Sequence, residues 1–135
     1  MAFNGNLLVV GSYEITGRRY INWDKYKVTR LIQDLDSYRD ANGVLHRNAL
    51  DHIPIKVEFE TRELLTNEDI ATFFGAIRSN FTNAAERRAS VTAYVPELDD
   101  YITQDMYMAD PEMPIHHIQD NKIYYESIRV AFIGY

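Results

Sequence analysis

The chain has no cysteine. That one absence removes disulfide staples, thiol nucleophiles and thiolate metal sites together. Glycine is scarce at six residues and scattered, with no G-x-x-x-x-G-K, no G-x-G-x-x-G and no G-x-S-x-G, so phosphate cradles and a nucleophile elbow are excluded. No lysine-rich or arginine-rich stripe occurs among the 14 basic residues, and the net charge is −6. Tight, sequence-specific binding to a nucleic-acid backbone is therefore not expected. Long apolar runs are missing too: residues 7–10 are far too few for a signal-peptide core or a membrane span, and no basic start precedes them. The sequence reads as a soluble protein made without an export signal, with no membrane partner.

What is present is globular. The 135 residues are 46% apolar and 25% charged, enough for one domain, residues 1–135, able to bury roughly two-thirds of its unfolded surface. Ten tyrosines suit half-exposed strands or surfaces that meet another subunit. Charge is uneven along the chain. Residues 1–47 carry seven basic and five acidic side chains, whereas 97–126 carry eight acids against Lys122 alone. Such asymmetry can steer head-to-tail contact between copies.

Periodicity places the elements. Residues 55–61 alternate strictly, with Ile55, Val57 and Phe59 on one face and charges on the other, the pattern of a half-buried strand. Thr66 followed by Asn-Glu-Asp predicts a helix N-terminus, and Ile70, Phe73, Phe74, Ile77 and Phe81 make one apolar face of a helix over about 67–81. Residues 89–95 and 101–108 around Pro96-Glu97-Leu98-Asp99-Asp100 predict an antiparallel hairpin. A final strand with Tyr124, Ile128, Val130 and Phe132 on one side follows a breaker-rich loop at 109–122. Short strands are expected at 7–10 and 13–15 around Gly11. Residues 25–33 predict a strand in which Leu31 breaks the alternation, through a bulge or through cover on both faces. Asn42-Gly43 predicts a type I′ hairpin turn, so residues 25–61 read as a long β-hairpin arm. The sum is an α+β, β-dominated fold: a mostly antiparallel β-sandwich or partly closed barrel with one packed α-helix and a protruding hairpin.

No chemistry stands out. His116-His117 lacks metal-ligand spacing, and Asp34, Asp36 and Asp40 fail as a calcium loop because Tyr38 occupies a ligand position. No catalytic, metal or cofactor-binding residue is assigned, and the chain reads as non-enzymatic. Arg18-Arg19 and Arg87-Arg88 read as interface or carbonyl-binding pairs rather than a nucleic-acid patch. Two further readings remain: a carbohydrate- or peptide-binding β-sandwich module with Tyr101, Tyr107, Tyr124 and Tyr125 as a platform, and a small lyase or isomerase using His116.

The order of elements, with Asn4-Gly5, Tyr38-Arg39-Asp40, Asn42-Gly43-Val44-Leu45, Ile55-Lys56-Val57-Glu58-Phe59, the acid-capped helix carrying Phe73 and Phe74, Thr92-Ala93-Tyr94-Val95-Pro96 and Tyr124-Tyr125-Glu126-Ser127-Ile128, resembles small structural proteins of bacteriophage and prophage tail modules. The resemblance implies a tail-tube or tail-completion fold that stacks as ring-like homo-oligomers, often sixfold, with other tail proteins. It also implies passive passage of DNA, manufacture in the host bacterial cytoplasm and residence in the virion. Within that reading Tyr38, Arg39, Asp40, Asn42, Gly43, Val44, Leu45, His46 and Arg47 form a subunit interface, and no cofactor is needed.

Overall fold

The computed structural model describes residues 3–135. Its strands are β1 (Leu8–Val10), β2 (Tyr13–Ile15), β3 (Ile21–Arg30), β4 (Tyr38–Arg39), β5 (Leu45–His46), β6 (Ile55–Thr61) and β7 (Leu65–Thr66). The helix α1 (Asn67–Arg78) precedes β8 (Arg88–Val95), β9 (Asp100–Met108), β10 (Ile115–Gln119), β11 (Lys122–Tyr125) and β12 (Arg129–Gly134). Seven strands form the main sheet in the order β2-β1-β8-β9-β12-β6-β3, while β10-β11-β7 and β4-β5 form two smaller sheets. Every named pairing is antiparallel. The sheets stay open, so the sandwich-like alternative holds and the barrel does not.

Alternation builds the core. Ile55, Val57 and Phe59 are buried from β6, as are Ala89, Val91, Ala93 and Val95 from β8, and these meet Phe73, Phe74 and Ile77 from the helix. Side chains two apart point to one side of a pleated strand, so each strand contributes a single apolar row. One side chain links the two ends of the main sheet. Tyr26 on β3 reaches across and donates its hydroxyl to the carbonyls of Leu7 and Tyr94, at 3.1 and 2.9 Å. Burial pushes that phenol's pKa up, which keeps the proton on the donor.

The helix begins at the expected cap. The Thr66 hydroxyl accepts the Asp69 N–H at 3.3 Å, and the Asp69 carboxylate accepts the Thr66 N–H at 3.2 Å, a reciprocal capping box. It stops at Arg78, short of residue 81. The Asn80 side-chain amide takes the Ala76 carbonyl at 2.9 Å, and Asn80 and Phe81 close tight turns onto Ile77 and Arg78. Those bonds use up the last carbonyls of the helix, and Phe81 packs on the core from outside it.

Three expectations need correction. The closing strand is two elements, because Ile128 N and O both bond Thr61, the N–H through the buried threonine hydroxyl at 2.9 Å, and this break sends β11 into the small sheet and β12 into the main one. The irregular loop at 109–122 contains a hairpin: Asp120 and Asn121, with φ of 52° and 61°, make the two-residue turn between Gln119 and Lys122. The irregularity of β3 lies not at Leu31 but between Asn22 and Lys27, where six residues of β3, Asn22 to Lys27, lie opposite the three from Glu60 to Glu58 on β6.

Candidate assembly interface

The residues singled out from sequence for an interface lie together at the end of a ribbon. Beyond the β3-β6 pair the two strands continue outward through bonds from Leu31 N to Pro54 O, Leu50 N to Gln33 O and Leu35 N to Asn48 O, all 2.8–2.9 Å. The ribbon ends in β4 and β5, with Tyr38 opposite His46 and Arg39 opposite Leu45. Asn42-Gly43 does mark the turn, but not as type I′. The Gly43 N–H bonds the Asp40 carbonyl at 2.9 Å and the Asp40 N–H bonds the Val44 carbonyl at 3.0 Å. Gly43 is left-handed at φ 81°, while Asn42 is not among the residues with positive φ. That is a three-residue loop closed by a glycine bulge.

The polar side chains of the tip hold the tip itself. The Asp40 carboxylate accepts the N–H groups of Asn42 and Val44, at 2.9 and 3.1 Å, and pairs with His46 at 2.9 Å. The hydrogen bond from His46, then those from the backbone, hold its carboxyl below the usual range. The Tyr38 and His46 rings stack at 4.8 Å. The Arg39 guanidinium donates to the Gly43 carbonyl at 2.9 Å, and Arg47 clasps Asp34 with two bonds of 2.8 and 3.1 Å.

Most apolar side chains of the ribbon are open to solvent. Ile32, Leu35, Tyr38, Val44, Leu45 and Leu50 are all exposed, Ile32 at 54% and Leu45 at 45%. A surface strand carries such side chains at a cost of about 25 cal/mol per Å² of apolar area left in water. They lie on both faces of the ribbon, since Tyr38 pairs with His46 and Leu45 with Arg39.

Elsewhere several surface charges are engaged with one another. Glu58 on the outer face of the main sheet meets Lys56 at 2.9 Å, Lys27 at 3.2 Å and Arg129. Those three cations hold its carboxyl down to about 2, with the Lys56 bond the largest cause. A groove of about 390 Å³ beside them is lined mainly by charged side chains, Asp24, Lys25, Lys27, Glu60 and Arg129 among them. Arg88 pairs with Asp105 at 2.8 Å and lies over the Tyr135 ring, and Arg87 pairs with Asp110 at 3.0 Å. The four tyrosines of the supposed platform are divided: Tyr101 and Tyr107 belong to the main sheet, Tyr124 and Tyr125 to the small one. Tyr101 is tied to Asn4 and Asn6, Tyr107 lies edge-on to Tyr135, and Tyr124 stacks on His117. His116 and His117 face each other with ring nitrogens 2.6 Å apart, and among the described residues no three His or acidic side chains gather as a metal site.

Sequence reasoning missed one surface. Ile115 and Ile118 on β10 stand 55% and 69% exposed, in a stretch expected to be irregular. The signal was present: Asp120-Asn121, two residues that tolerate positive φ, lies between Ile118 and Ile123.

These features define a class: a β-sandwich-like α+β protein with one covering helix and a self-ordered ribbon that carries uncovered apolar side chains. The chain belongs to the family described as "Family of unknown function (DUF6711)", which matches it over residues 1–135. Comparison with curated proteins gives no match. Among solved structures the fold is similar to a chain described as "Tail of empty GTA particle computed with helical refinement, C6 symmetry", with a TM-score of 0.53 and 11% identity. That similarity covers 99% of this chain and 95% of the other.

Proposed function

We propose that this protein is a non-enzymatic structural subunit of a phage or phage-like tail, a tube, completion, connector or baseplate component, which self-assembles through strand edges and the ribbon at residues 31–54. The observation that carries the reading is the pairing of an apolar, solvent-facing ribbon with a fold shared, nearly end to end, with a chain from a tail particle of sixfold symmetry. Copies arranged head to tail around a rotation axis bury the same ribbon once per subunit and close on themselves. The partners are further copies in a ring and other tail proteins. The place of action is the virion, after synthesis in the host bacterial cytoplasm. An acidic chain of net charge −6 suits DNA that slides past without adhering, since like charge repels phosphate. No helix of the described residues is long and apolar enough to cross a membrane, and no cofactor enters the mechanism, which is interface geometry alone.

Deleting residues 39–47 tests this, because their side chains bond only within the ribbon and the buried cluster includes none of them. The full chain is expected to form rings in negative-stain images and the shortened chain a folded monomer by light scattering. Rings that persist without the tip overturn the role of the ribbon. A full-length chain that stays monomeric at high concentration overturns assembly itself.

A further inference from the structure

We propose that the receptor for the ribbon tip is the outer part of the β10-β11 hairpin on the next copy, an inference that rests on the assembly reading above. Three observations point there. Partnered residues in a sheet share a face, and Ile118 opposes Ile123 while Ile115 opposes Tyr125, which in turn opposes buried Leu65. The register shift between Ile115 and His117 brings both isoleucines to that one side. The small sheet thus continues the face that covers the core, but past the body it has nothing beneath it, and Ile115 and Ile118 stand in water. It is a ledge with an apolar face.

The ledge and the tip complement each other in charge. Arg39 and Leu45 share one face of the ribbon, and Arg39 makes no ion pair with any described residue. Three acids flank the ledge along the chain, against Lys122 as its one lysine. Glu112 precedes it, Asp120 sits in its turn, and Glu126 bonds its N–H to the Pro114 carbonyl at the start of β10. None of these three carboxylates has a cation partner among the described residues. An apolar side chain beside a cation on one surface therefore meets apolar side chains beside carboxylates on the other. In addition β10 is the edge strand of its sheet, so its outer N–H and C=O groups are open to a strand such as β5.

A ribbon-to-ledge contact joins two different patches of the same chain. It therefore propagates head to tail, whereas a ribbon-to-ribbon contact pairs copies two by two and leaves the ledge bare. Mixing variants separates the two. Leu45→Asp spoils the tip and Ile118→Asp spoils the ledge, and both positions are exposed enough for the monomer to keep its fold, which circular dichroism checks. Each variant alone is expected to be monomeric by light scattering, and an equimolar mixture to form dimers and nothing larger, since one intact tip meets one intact ledge. The absence of native cysteine gives a second readout free of any folding question. A Leu45→Cys chain mixed with an Ile118→Cys chain should yield a disulfide between positions 45 and 118, identified by mass spectrometry. Should Ile118→Asp assemble like the unaltered chain while Leu45→Asp does not, the ribbon drives assembly but the ledge is not its receptor. Should both assemble normally, or the cysteine mixture give no 45–118 product, the contact is overturned. If the unaltered chain itself never associates, the assembly reading falls and takes this one with it.

Discussion

Lys27, Lys56 and Arg129 converge on one carboxylate, Glu58, whose side chain is only 14% exposed. Each cation comes from a different strand of β3, β6 and β12, so the carboxylate ties three neighbouring strands on the face opposite the core. Its folded pKa of about 2 lies below the value near 4.3 of an unfolded glutamate. The sign follows from linkage: the unfolded chain binds the proton more readily, so the contribution is full above about pH 4.3 and disappears as pH falls through about 2. Since Lys27 and Arg129 are largely in water, screening reduces the gain to about 1 kcal/mol. Glu58→Gln is expected to lower stability by about that amount at pH 7 and by almost nothing at pH 2. Urea midpoints of both chains across that range check it, and a gap that does not narrow in acid would assign the effect to packing instead of charge.

At the scale of elements, the helix depends on a cap as much as on its apolar face. Thr66→Ala removes one half of the reciprocal cap with Asp69 and is expected to cost about 1 kcal/mol. Thr66→Ser keeps the hydroxyl and should retain most of it, and denaturant midpoints distinguish the three chains. This cap was legible in the sequence because Thr-Asn-Glu-Asp is a local signal, and so were β6, whose alternation is strict, and the β8-β9 hairpin, whose turn is marked by Pro96 and Asp99-Asp100. Where tertiary contacts decide, the sequence was mute. Nothing local marks Thr61 as the residue whose hydroxyl breaks the last strand at Ile128. Turn chemistry was legible in kind but exchanged in place. Asn42-Gly43 carries the stronger type I′ signal, yet Asp40 draws the backbone into a three-residue loop by accepting two N–H groups. The two-residue turn with both φ positive occurs at Asp120-Asn121. That exchange is why the ribbon was foreseen and the ledge was not.

At the scale of the molecule, one chain divides its apolar residues between a packed core and an uncovered surface. The rows along β6, β8 and α1 fill a core shared by the main sheet and the helix, while those along the ribbon and β10 stay in water. Under the proposed assembly, folding and association are independent in origin and coupled in thermodynamics: association would remove exposed apolar area from the folded state alone and so stabilise folding by mass action. The melting temperature of the full chain is accordingly expected to rise with protein concentration, and that of the chain lacking residues 39–47 to stay constant. For a domain of this size each 1 kcal/mol gained by association raises the midpoint by roughly 2–8 °C, a shift that calorimetry at micromolar and at millimolar chain resolves. A full-length midpoint that does not move over that range means the ribbon gains nothing from a second copy, and its exposed side chains would then need a partner of another kind.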